Sequence, residues 1–88
     1  MFPLYEMLKG KSKNAQEVGY SMLKKLSMKD WEKAQKLFAD AEIMEGFKNI
    51  SDKSDISRMT KALAKEIHTT SDVDAASIAR CKGILQNK

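Results

Sequence analysis

Hydrophobic residues recur along this chain every three or four positions, the spacing of one helix face, and nowhere hold a sustained alternation of period two. Ala15, Val18, Met22 and Leu26, with Leu23 beside them, make one apolar stripe. Trp31, Ala34, Leu37, Phe38, Ala41 and Met44 make a second, with Lys29, Glu32, Lys33, Lys36 and Asp40 on the opposite, solvent side. Ile56, Met59, Thr60, Leu63 and Ile67 form a third, and Val73, Ile78, Cys81, Ile84 and Leu85 a fourth. The pattern predicts helices over 15–26, 28–45, 55–68 and 72–86.

The polar residues at the starts of these segments are of the capping kind. Asn14 and Ser54 are expected N-caps, and Ser27 and Ser71 are each followed three residues later by an acid, Asp30 and Asp74. That is capping-box spacing with Asp in place of Glu. Pro3 can open a short helix over 3–9 that Gly10 ends, and Gly46 is expected to close the long second segment. The turns are "FKNISDKSD" and "TTSDVD". The expected fold is all-α: a single domain over 1–88, a compact bundle of four amphipathic helices plus a short N-terminal helix. Its short loops favour antiparallel neighbours.

A chain of 88 residues fits one domain with a thin core. At 42% hydrophobic and 32% charged residues, it is not disordered by composition. A net charge of +4 permits anionic partners without demanding them. One cysteine excludes an internal disulfide and points to a reducing compartment, the cytoplasm. The start "MFPLYEMLKGKSKN" runs from apolar to basic, the reverse of a signal peptide, and no apolar run reaches the ~20 residues that span a bilayer. No membrane partner is expected. In particular Glu32, Asp40, Glu42 and Glu45 make the Trp31 helix a poor fit to anionic lipid.

The candidate binding residues are mostly basic. Arg58, Lys61, Lys65 and His68 line up on the helical wheel opposite the Ile56–Ile67 face, with no acid among them. The stripe, roughly 15 Å long at the helical rise, suits a phosphate backbone or an acidic groove; Lys and Arg are also the usual occupants of any solvated helix face. Arg80 and Lys82 extend it if packing brings them near. Lys9, Lys11 and Lys13 form a basic loop around a Gly-Lys-Ser triplet. This is no phosphate-binding P-loop, because Tyr5 stands where the first glycine is needed and a helix precedes it. "NAQEVGYSMLKKL" has the Ala15–Gly19 spacing of a helix-turn-helix start, but its second half fails, and Gly19 is better read as a site of close helix packing. Tyr20 lies off its apolar stripe near Lys24 and is the best candidate for an exposed aromatic contact. Trp31 and Phe38 hold core spacing, Phe47 is expected at a bundle end, and Cys81 sits in an apolar stripe as a packing residue.

No paired acid and base, nucleophile–base pair, cofactor loop or metal-ligand pattern is recognisable, so no enzyme, no cofactor and no metal site are expected. Two classes of function remain ahead of the rest. One is a small regulator or inhibitor that docks a partly basic helical face on a larger protein or protein–nucleic acid complex. The other is a direct DNA- or RNA-binding protein using the Arg58/Lys61/Lys65 stripe and the Lys9–Lys13 loop. A subunit of a symmetric homo-oligomer is the third.

Overall fold

The computed structural model describes residues 13–86, and within them an all-α bundle: α1 (Lys13–Leu23), α2 (Met28–Phe38), α3 (Ala41–Lys48), α4 (Lys53–Thr69) and α5 (Ala75–Gln86). The helix expected over 3–9 lies outside the described residues. α1 packs along α4 more extensively than any other pair, α5 lies against α3 and α4, and α2 touches α3 and α4. All five helices supply the core, which holds Leu23, Leu37, Phe38, Ile43, Phe47, Ile56, Met59, Leu63, Ile67, Cys81 and Leu85.

Several boundaries differ from the sequence reading. The long segment 28–45 is two helices. α2 ends at Phe38, and the Asp40 carboxylate restarts the chain by accepting from the Glu42 and Ile43 amides at 3.0 and 3.1 Å. Gly46 therefore does not end a helix. It sits inside α3, where a Cβ would lie 3.3 Å from the Leu85 side chain, so its bareness lets α5 come close. Asn14 lies within α1 rather than ahead of it. Asp52, not Ser54, caps α4, and Asp74, not Ser71, accepts the Ser77 amide at the start of α5. Of the expected caps only Ser27 holds, accepting the Asp30 amide at 3.1 Å. Phe47 is no end-cap either. It is fully buried, edge-on to Phe38 at 5.4 Å between ring centroids.

The crossing of α1 over Phe47 and Ile56 depends on Gly19. A Cβ there would lie 2.6 Å from Phe47 Cζ and 3.0 Å from Ile56 Cγ1. Both side chains are fully buried, so neither can yield without shifting the core. Gly19→Ala is expected to destabilise the fold by roughly 1–3 kcal/mol through overpacking, although Ala is the better helix former. Gly83 in α5 is exposed and has nothing within 4 Å of a built Cβ. Gly83→Ala should stabilise by up to about 1 kcal/mol. Urea midpoints of the two variants on opposite sides of the parent's would bear this out; the reverse order would refute it.

Candidate functional site

At the carbonyl end of α4 a buried polar cluster joins two helices. The Lys33 ammonium, expected in solvent, is buried and donates to the Ile67 and Thr70 carbonyls at 3.2 and 2.7 Å. It also lies 3.5 Å from Asp30 Oδ1. The other oxygen of Asp30 is 2.9 Å from His68 Nδ1. An ionised carboxylate only accepts, so Nδ1 carries the proton and donates. Asp30 therefore does not complete the capping box expected of it; its carboxylate turns to Lys33 and His68 instead. The His68 hydrogen bond, then Lys33, hold the Asp30 carboxyl below its ordinary range, against burial, which works the other way.

That cluster changes the reading of the basic stripe. His68 is paired with Asp30 across the helix boundary, and Arg58 lies 3.5 Å from Asp55 one turn earlier. The stripe is thus not free of acids: one comes from its own helix and one from α2. Lys61 and Lys65 are exposed and make no ion pair with a described residue. Arg80 and Lys82 do not extend the stripe. Arg80 donates to Glu66 at 2.7 Å, and Lys82 pairs with Asp40 and Glu42 at 3.8 and 3.4 Å. Lys11 lies outside the described residues, and Lys13 opens α1 rather than standing in a loop. Tyr20 is half-buried, with Lys24 Nζ over its ring at 5.9 Å and the Trp31 ring edge-on at 6.2 Å. Trp31 in turn is half-buried at the margin of the core rather than inside it.

The α1–α2 turn carries a feature absent from the sequence reading. Lys24, Leu26, Met28 and Trp31 line an open, mainly apolar hollow of about 330 Å³, and Met28 is 81% exposed. Local geometry explains it. With Ser27 as N-cap, Leu26 is the residue before the cap and Trp31 the fourth of the helix, the two positions of a hydrophobic staple. The staple fixes both against the core edge and leaves Met28, the first helical residue, projecting beside them. The signal was legible in "LSMKDW", where two large apolar residues flank a capping serine.

Cys81 is fully buried, and burial pushes its thiol up to about 11. Among the described residues no group of three His, Cys, Asp or Glu side chains is placed to hold a metal ion, and no helix is long and apolar enough to cross a membrane. Compared with protein-family models, curated proteins and solved structures, the chain matches none.

These placements have three testable consequences. Lys33→Ala should cost roughly 1–3 kcal/mol for each buried acceptor left unpaired, read as a lower urea midpoint. Asp30 titrates lower in the fold than in the unfolded chain, so its stabilisation is present above the unfolded value, about 3.9, and is lost as pH falls through the folded value. Glu66, Asp72 and Asp74 shift the same way, held by Arg80, Lys36 and the Ser77 amide. Melting temperature should drop on acidification below about pH 4, and Asp30→Asn should flatten that drop. Equal acid slopes for parent and variant would refute the assignment. The Cys81 thiol should resist a bulky thiol reagent at pH 8 until the chain is unfolded; labelling of the native protein at the rate of a free thiol would contradict its burial.

Proposed function

We propose that this chain is a non-enzymatic docking module, a small regulator or inhibitor that binds a larger protein through its α1–α2 turn. The observation that carries the reading is Met28, 81% exposed at the mouth of a hollow walled by Leu26 and Trp31. Methionine and aromatic residues are enriched at interfaces, where a flexible thioether adapts to a partner surface. Tyr20 and Trp31 are anchor types, already held by their mutual contact and so ordered at little further entropic cost. The non-enzymatic part of this reading draws support from a thiol sealed in the core and a histidine hydrogen-bonded to a buried carboxylate. The single reduced cysteine suits a cytoplasmic setting. Lys61 and Lys65, with no described ion-pair partner, favour a second reading in which α4 grips a phosphate backbone directly.

The two readings part in one experiment. The chain, its Met28→Glu variant and its Arg58→Gln/Lys61→Gln/Lys65→Gln variant are used as bait in extract of the producing organism, with and without nuclease. Glu is favourable in the first turn of a helix, so Met28→Glu should keep the fold. The expected result is a protein retained through nuclease treatment, lost with Met28→Glu and kept with the triple variant. Loss on nuclease treatment and with the triple variant would favour the phosphate reading instead.

A further inference from the structure

We infer that the hollow of the α1–α2 turn accepts an acidic peptide segment, one apolar or aromatic anchor side chain flanked by carboxylates. This rests on the docking reading and names the chemistry of the partner. At about 330 Å³ the hollow is at the low end of the ~300–1,000 Å³ range of ligand pockets, so it takes an anchor side chain rather than a whole helix face.

Charge selects what surrounds that anchor. Lys24 lines the hollow itself, and the exposed Lys25 and Lys29 adjoin the lining residues in the chain. His68, hydrogen-bonded to Asp30 in the first turn of α2, brings the Lys65 end of α4 to the same end of the bundle. The acids there are mostly neutralised: Asp30 by Lys33 and His68, Glu66 by Arg80, Asp72 by Lys36. Glu32, one turn beyond Met28, and Asp74, at the start of α5, are carboxylates at this end with no ion-pair partner among the described residues. The rim is left positive around an apolar centre, the complement of an apolar anchor between acids.

The alternatives fit less well. A second copy docked about a twofold axis would set Lys24, Lys25 and Lys29 against their own kind. A nucleic acid would suit the lysines, but single strands also need an open aromatic face for stacking. Here the Tyr20 and Trp31 rings are engaged edge-on with each other, and Lys24 covers Tyr20.

A displayed library of random peptides tests the inference without knowledge of the natural partner. The intact chain is the target, and the Met28→Glu variant removes peptides that bind elsewhere. Trp31 is the only tryptophan, so its emission reports occupancy of the hollow by tryptophan-free synthetic copies of the selected peptides. The expected winners carry two or more Asp or Glu around a single large apolar residue. They should shift Trp31 emission to the blue, and their affinity should fall by about an order of magnitude between low and high salt. Lys24→Gln/Lys25→Gln/Lys29→Gln should weaken them similarly at low salt. Winners that depend on Met28 but are neutral or basic would overturn the acidic partner and leave the docking reading standing. No Met28-dependent winner would overturn both. A dimer in sedimentation that Met28→Glu dissolves, or displacement of the peptides by a short single-stranded oligonucleotide at the hollow, would replace the acidic segment with that occupant.

Discussion

The bundle depends on how the carbonyl ends of α3 and α4 are satisfied. A helix leaves its last carbonyls without partners, and the common remedy is a residue in the left-handed conformation just past the end. No described residue has a positive φ, so that remedy is not used. Side chains from other helices take its place. Gln16 of α1, fully buried, donates to the Phe47 and Ile50 carbonyls at 3.3 and 2.6 Å at the end of α3. Lys33 of α2 does the same for Ile67 and Thr70 at the end of α4. Each cap reaches across more than thirty residues, so helix termination and tertiary packing are one event here.

The apolar contacts fall beside these caps. Gly19 is one turn beyond Gln16, so the approach that lets Gln16 reach the end of α3 also presses α1 onto the Phe47 ring, and only a residue without Cβ fits. On α2, Lys33 is followed by Ala34 and Leu37, which continue into the core on the same side. Burying an amide or an ammonium is costly unless its hydrogen bonds are made. The Gln16 amide nitrogen and the Lys33 ammonium meet that condition only at one placement of the helices, so they select the register that the apolar stripes alone leave loose, while the Gln16 Oε1 is buried without a partner among the described residues. Asp30 sits beside the ammonium in that confined place, and His68 orients the carboxylate from the other side.

What the sequence revealed divides along the same line. The four stripes were legible because period 3.6 survives any packing, and Leu63, Ile67 and Cys81 are buried as their spacing predicts. Gly19 was legible as a close-packing site for the same reason. The break after Phe38 was not, because neither proline nor glycine marks it and the apolar spacing runs on through Ala41 and Met44. Only the Asp40 side chain, one of several acids in the segment, signals a restart. Asp52 and Ser54 compete as caps of equal merit two residues apart, and local preference cannot rank them. Lys33 was assigned to solvent by the general habit of lysine; its true place depends on where α4 ends in space, which no local pattern encodes. The Asp55 partner of Arg58 stood in plain view at three residues' spacing, whereas Asp30 reaches His68 only through the tertiary fold.

The same sorting of charge explains why the α1–α2 turn stands out. Lys36 holds Asp72 in the α4–α5 connection, Arg80 ties α5 to α4, and Lys82 ties α5 to the start of α3. Surface pairs of this kind contribute little to stability, so their larger effect is to cancel charge where helices meet. Lys24, Lys25, Lys29, Lys61 and Lys65, with Lys53 at the opposite end of α4, have no carboxylate partner among the described residues. Lys24 and Lys25 also lie at the negative end of the α1 dipole, a helix-stabilising place that any cation fills. That role does not account for an apolar hollow opening beside Lys24. A fold serving stability alone would close the staple of Leu26 and Trp31 under a polar first residue; here the first residue is Met28, and it stands in water. Positive charge gathered at one turn attracts anions over a distance near the Debye length, about 8–10 Å. On the docking reading proposed above, the apolar floor beneath then favours an anion that brings an apolar side chain with it.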